Sequence, residues 1–270
     1  MADSAKEGDI DRDEARVNAP SRTLEKGLFL LGLFDSEHPE WTLKELRERS
    51  GLSKATTRRL VKTLEFSDWV AYDAARHTYH LGSRVLQAVH VAMSHSELVR
   101  VAHPYLLRLV EETTETASLS VWADRGALIL DTVTTPRPFK PFTFPGMLLP
   151  GSASADAQVL IAFGPDQVRE RVLATPQQKR TLNTITEPEA LKERWAGIRE
   201  AGVAYDWEEW LMGSPAVAAP VFDQTGQVRA SLSIVPPIER GSGAEMALCA
   251  DAVTAAAAEL SRELGYRPHH

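Results

Sequence analysis

The sequence predicts an α+β chain in two parts, and three patterns carry that prediction. Residues 42–65 hold two short helical segments joined by a glycine turn, with two β-prone runs just after them. Residues 85–93 carry an apolar stripe at helical spacing. Beyond residue 100, two pairs of strand-like runs, each joined by a tight-turn signature, alternate with helical segments. Hairpins mixed with helices point to a mainly antiparallel sheet with flanking helices.

Residues 1–20 form a polar tail of mixed acid and base with no apolar run before Leu24, so neither a signal peptide nor a membrane anchor is expected there. From Ser21 onward, Leu24, Leu28, Leu31 and Phe34 recur at helical spacing and predict a first helix packed beneath the next two. Thr42 and Glu45 have the spacing of a capping box, starting a helix over 44–50 with Leu43 and Leu46 turned inward. Gly51 then supplies the left-handed residue that ends it. Ser53 caps a second helix, in which Leu60 and Leu64 face inward.

That second helix carries Lys54, Arg58, Arg59 and Lys62, and no acid before Glu65, in a chain whose formal net charge is −7. A compact cationic helix on an acidic background calls for an anionic partner. Two short helices across a glycine turn form a helix-turn-helix, and the start of its second helix meets the DNA major groove. The candidate DNA contacts are therefore Ser53, Lys54, Thr56, Thr57, Arg58 and Arg59, with Lys62 placed to meet phosphate. Runs 69–72 and 78–81, joined by a loop holding Asp73 and Arg76, read as a wing, and Arg76 joins the candidates. The competing reading is a solvated helix face; two helices, turn and hairpin in order favour DNA.

Val85, Val89 and Ala92 or Met93 form a stripe too long for the wing to cover, and it is expected to pair with another subunit. Burial within one subunit is the alternative, since periodicity does not separate the two. Pro104 is read as restarting a helix through Thr116. Strands are expected at 118–123 and 127–133 around Asp124, Arg125 and Gly126, and at 216–222 and 228–235 around the turn Asp223 to Gly226. Helices are expected at 153–163, 165–173, 188–201, ending at Gly202, and 244–264.

With 270 residues there is room for two domains, and the single Cys249, read as packed on the last helix, suits a reducing cytoplasm. No run of 18 apolar residues occurs. Catalysis finds little footing: residues 151–155 lack the second glycine of a nucleophile elbow, and no Ser, His and acid set stands out. His77 and His80 fall on opposite faces of a strand, and His90 and His95 are badly spaced on a helix, so no metal is expected. Asp206, Glu208 and Glu209 read as a solvated acidic loop. His269 and His270 are either native or the remains of a tag.

From about Ser21 to Tyr266 the chain resembles the IclR family of bacterial transcriptional regulators. The resemblance is carried by GLSKATTRRLVKTLE at 51–65, YHLGSRVL at 79–86, NTITEPEAL at 183–191 and AAPVFDQTG at 218–226. It implies a winged helix-turn-helix over 21–82, a linker helix used in dimerisation over 83–100, and a GAF-like effector-binding domain over 101–270. It also implies double-stranded operator DNA bound by a dimer or a dimer of dimers, with no cofactor. Repression is the expected mode. An enzyme or small-molecule-binding module with an appended helix-turn-helix is the rival reading.

The effector positions carried over by this resemblance are Leu149, Ala155, Asp156, Asp206, Ala216 and Ser233, with Trp122 and Trp207 beside them. The sequence departs from the family at several places. It has Ser152 where many members have histidine, Ala157 and Gln158 for a Gly-Lys pair, Ala216 for a frequent cysteine, and Asp156 for a small or apolar residue. A carboxylate ligand would meet Asp156 and Asp206, and desolvated like charges repel. Together with Phe139, Phe142, Phe144 and Trp210, the two tryptophans instead suggest an apolar or aromatic effector bearing a donor or positive group.

Overall fold

The computed structural model describes residues 21–267 other than 36–37, 95, 124–125 and 139–140. The polar tail, His95, Asp124 and Arg125 of the first hairpin turn, Phe139, and His269 and His270 lie outside the described residues. The chain forms two compact units that part between His95 and Ser96.

In the first unit, helix α1 (Arg22–Leu31) starts at Ser21, whose side chain accepts from the Leu24 N–H. Its inward residues are Gly27 and Leu30. Leu24 and Leu28, expected inward, are 61% and 58% exposed. The apolar residues Leu28 to Leu31 run around the helix, so spacing alone leaves the buried face undecided; packing against the next helices selects Leu30. Thr42 and Glu45 form the expected capping box at α2 (Leu43–Ser50), and Gly51 ends it at φ 66°. Ser53 caps α3 (Lys54–Phe66).

Strand β1 (Glu40–Trp41) was not apparent in the sequence because two residues show no alternation. It joins β2 (Val70–Asp73) and β3 (Thr78–Leu81) in an antiparallel sheet of order β1-β3-β2. Leu30, Trp41, Leu46, Leu60, Val61, Val70 and Tyr79 make the core of this unit. Helix α4 (Ser83–Ser94) buries none of its residues.

The second unit begins with α5 (Glu97–Thr113), capped by Ser96. The segment 83–100 therefore contains one helix and the start of another. Pro104 lies inside α5 instead of starting a helix. Pro104 and Arg100, whose carbonyl loses its helical donor there, are both on the exposed side, while Leu98, Ala102, Leu106 and Leu109 bury the other face and carry the helix through.

Six antiparallel strands follow: β4 (Thr116–Ala123), β5 (Gly126–Val133), β6 (Leu148–Pro150), β7 (Ala204–Asp206), β8 (Ala216–Phe222) and β9 (Val228–Val235). Their order is β6-β5-β4-β9-β8-β7. Both expected hairpins are present, while β6 and β7 were too short for the sequence pattern to show. Helices α6 (Ala155–Phe163), α7 (Asp166–Ala174), α8 (Pro188–Ala201) and α9 (Gly243–Glu263) begin within about two residues of their expected starts.

The two-residue period of the strands divides the sheet into unlike faces. Ala117, Leu119, Val217, Ala219, Val221, Leu232 and Ile234 pack under α5 and α9. The opposite face presents Ser118, Ser120, Ser231 and Ser233, all buried, in two directly opposed pairs, Ser118 with Ser233 and Ser120 with Ser231. Helix α6 covers that polar face and is itself buried from Ala155 to Ala162.

Candidate DNA interface and effector cavity

The first unit displays a cationic helix face. Lys54, Arg58, Arg59 and Lys62 are all exposed, and Arg58, Arg59 and Lys62 share a shallow surface with Ala55, Thr63 and Phe66. Ser53 and Thr56 serve the cap: the Ser53 hydroxyl accepts from the Thr56 N–H at 3.2 Å and lies 2.9 Å from the Thr56 hydroxyl. Thr57 is a correction. It is fully buried, and its hydroxyl donates to the Ser53 carbonyl at 3.1 Å, so it holds the helix start and does not face DNA. Its neighbours on the exposed stripe are the arginines one and two positions on.

Arg76 is on the wing, but its guanidinium is tied to Glu40 of β1 at 2.8 Å. Asp73, which accepts from the backbone N–H groups of Ala75 and Arg76, shapes that turn. Lys62 pairs with Glu65 at 2.8 Å yet stays exposed. The exposed residue missed by sequence reasoning is Phe66, 91% exposed, on the same stripe. Its spacing of four from Lys62 was the available signal; an aromatic at a helix end reads first as core.

In the second unit, Leu149, Ala155, Asp156, Asp206, Ala216 and Ser233 converge on one small cavity. Ser118, Ile129, Thr143, Ser154, Trp210, Ser214 and Val235 complete it. The β4 and β9 serines were legible only as strand alternation, which does not tell which face is buried. No lysine, arginine or histidine lines this cavity among the described residues.

Two buried carboxyls face it. Asp156, in the first turn of α6, accepts from the Ser231 hydroxyl at 2.9 Å. Burial raises its pKa, against the opposing effect of the nearby Ser120, Ser231 and Ser233 hydroxyls. Asp206 ends β7 and accepts from the Glu209 N–H at 2.6 Å. Burial pushes its pKa up to about 7, opposed by that backbone bond and reinforced by the Glu209 charge. The Ser233 hydroxyl, on the cavity wall, has no hydrogen-bond partner of standard geometry among the described residues.

The acidic loop is not solvated as expected. Asp206 and Glu209 are buried, and Glu209 bonds Arg194 at 2.7 Å and the Gln158 amide at 3.2 Å. Arg194 also donates to the Tyr205 carbonyl. Thr184 anchors the same turn by donating to the Glu209 carbonyl. These partners lie far apart in sequence, so the loop's own composition hid its burial.

The expected aromatic wall shrinks to one indole, Trp210. Trp122 packs in the apolar clusters beside α6. Trp207 is 41% exposed and stacks on Tyr205 at 5.7 Å. Phe142 is 76% exposed and meets Phe144 edge-on at the surface. The cavity is about 20 Å³ in this conformation, room for a water molecule, so an organic effector requires the walls to open.

A winged helix-turn-helix with an exposed cationic helix, followed by a sheet domain with a polar cavity under a buried helix, defines a ligand-responsive transcriptional regulator. The family assignment follows from sequence. Residues 23–74 match the IclR helix-turn-helix domain, and residues 90–262 match the bacterial transcriptional regulator IclR C-terminal domain. The chain belongs to the IclR family of bacterial transcriptional regulators. It is 33% identical over 89% of its length to the HTH-type transcriptional regulator BhcR of Paracoccus denitrificans, covering 86% of that protein. It is 31% identical to the DNA-binding transcriptional repressor YiaJ of Escherichia coli, over 85% of this chain and 82% of that one. A crystal structure of an IclR-type regulator from Silicibacter sp. TM1040 superposes with a TM-score of 0.81 at 25% identity, covering 92% of this chain and 98% of the other. Among the described residues no helix is long and apolar enough to cross a membrane.

Proposed function

We propose that this regulator is a repressor that grips its operator through Lys54, Arg58, Arg59 and Lys62, and releases it when an effector occupies the cavity beneath α6. The observation that carries the reading is the pairing in one chain of an exposed cationic recognition helix with a buried polar cavity. Binding in that cavity alters DNA affinity only if the effector binds the two states of the protein unequally.

The same reading assigns assembly to the first unit. Helix α4 buries nothing, and Leu86, Val89 and Val91 on it are exposed, as are Leu24, Leu28 and Phe29 on α1. Apolar surface of that extent fits a second copy, giving a homodimer or a dimer of dimers. Domain limits follow: 21–82 for DNA, 83–100 for linkage, 101–270 for effector. The protein works in the cytoplasm and catalyses nothing.

The effector carries hydrogen-bond donors or a positive charge. Asp156, Asp206 and the Ser233 hydroxyl offer acceptors, the Trp210 indole offers a cation-binding face, and no basic side chain among the described residues is there for a carboxylate. Calorimetric titration of the full chain with amine-bearing and carboxylate candidates tests this. Stoichiometric binding of a donor-bearing compound, weakened by Asp156→Asn and accompanied by operator release, supports the reading. Turnover of the bound compound would instead favour an enzyme with an appended DNA-binding domain.

A further inference from the structure

We propose a second small-molecule site in the effector-binding unit, a groove at the free edge of β8 between the ends of α8 and α9, that takes a small aromatic carboxylate. Strand β7 pairs with β8 only at Ala216 to Ala218, and among the described residues no strand covers Ala219 to Phe222 on that side. The edge does not invite another strand. Pro220 has no N–H, and the Phe222 N–H is already spent on the Ser261 hydroxyl at 2.9 Å, which itself donates to the Ala257 carbonyl. A small molecule is the occupant that fits.

The space exists because the facing side chains are short. Gly202, Ala219, Ala257 and Ala258 leave a groove of about 310 Å³, against about 20 Å³ for the cavity under α6. That is within the range of pockets that hold small ligands without rearrangement.

Its lining selects the chemistry. Phe163 meets Phe222 edge-on at 5.4 Å, and Phe222 lies 5.1 Å from Tyr266, so three rings are already placed to pack against a flat apolar body. Arg199 and Arg262 stand on the rim. Arg199 spends one N–H on the Ala162 carbonyl at 3.3 Å, and Arg262 is exposed on the last turn of α9. Glu200 is the one acid in the lining among the described residues, leaving a net positive rim in a chain of net charge −7. Guanidinium forks recognise carboxylates, and rings recognise rings. The two cavities thus sort ligands by charge, the one under α6 being acid-lined and the groove arginine-rimmed.

The test is fluorine NMR on the full chain with 4-fluorobenzoate as the probe and 4-fluorobenzamide as its neutral counterpart. Saturable binding of the acid is expected, with the amide about tenfold weaker, the value of one charge-assisted hydrogen bond. Arg262→Ala should weaken the acid by about tenfold as well. Ala258→Trp, at an exposed position of α9 on the groove, should abolish binding, and Asp206→Asn should leave it within about twofold. Absence of saturable binding to the wild-type chain up to about 5 mM overturns the proposal. So does equal affinity for the amide, indifference to Arg262→Ala, or a change in affinity of more than about twofold in either direction in Asp206→Asn, which would place the probe under α6.

Discussion

Replacing Asp206 by asparagine should remove a large part of the pH dependence of the second unit's stability. The folded chain holds this carboxyl at a pKa of about 7, against an ordinary value of 3.8, mainly through burial. A group whose pKa is raised by folding stabilises the fold while it is protonated. That contribution is complete below the unfolded pKa and is lost as pH rises through the folded one. The shift amounts to about 4 kcal/mol in all, of which roughly half falls between pH 5 and pH 8. Asp156 and Glu209, also raised by burial, act in the same direction, and because the Glu209 charge helps raise Asp206, the difference between variant and wild type reports Asp206 together with its coupling to Glu209. Urea unfolding followed by tryptophan emission suits the measurement, because four of the six tryptophans, Trp122, Trp195, Trp207 and Trp210, lie in the second unit. Wild type should lose stability from pH 5 to pH 8, and Asp206→Asn should lose about 2 kcal/mol less. Parallel pH profiles for the two proteins would refute the idea that Asp206 is held protonated by burial.

Other outcomes follow from the same structure. Thr57→Ala should cost about 1 kcal/mol of stability in the first unit by urea unfolding, and leave operator affinity of the folded protein unchanged. Val89→Glu, on the exposed stripe of α4, should yield monomers in light scattering; an unaltered oligomer would remove α4 from the interface. Glu115 is buried between Arg240, at 2.5 and 2.9 Å, and Arg137, at 3.6 Å; both arginines reach solvent, so Glu115→Ala should destabilise by about 1–3 kcal/mol in urea, and no measurable loss would contradict the pairing.

The parts of the fold that the sequence made legible are those whose signals are local. The Thr42 and Glu45 box, Gly51, the Ser53 cap and the Asp223 to Gly226 turn each act within a few residues, and each appears where expected. Features decided by distant partners were hidden. Leu24 and Leu28 gave a valid helical stripe on the wrong side, because α2 and α3 choose the face. Thr57 sat among cationic neighbours but is drawn inward by the Ser53 carbonyl. The acidic loop looked solvated because Arg194 and Gln158, which bury Glu209, come from other elements. The cavity positions transferred by family resemblance converge, whereas the tryptophans chosen for their bulk went to packing and surface, with Trp210 lining the cavity.

The salt dependence of operator binding tests the central claim most directly. On a duplex selected from random sequence by the wild-type chain, affinity measured by anisotropy should fall with salt, and each phosphate that a variant leaves unneutralised should lower the slope of log K against log salt by about 0.9. Lys62→Ala should show that reduction. Arg58→Ala or Arg59→Ala should weaken binding by about 1–3 kcal/mol at fixed salt where the side chain reads a base, with melting unchanged. Wild-type affinity and wild-type slope in all three variants would contradict the assignment of α3 as the helix that reads DNA.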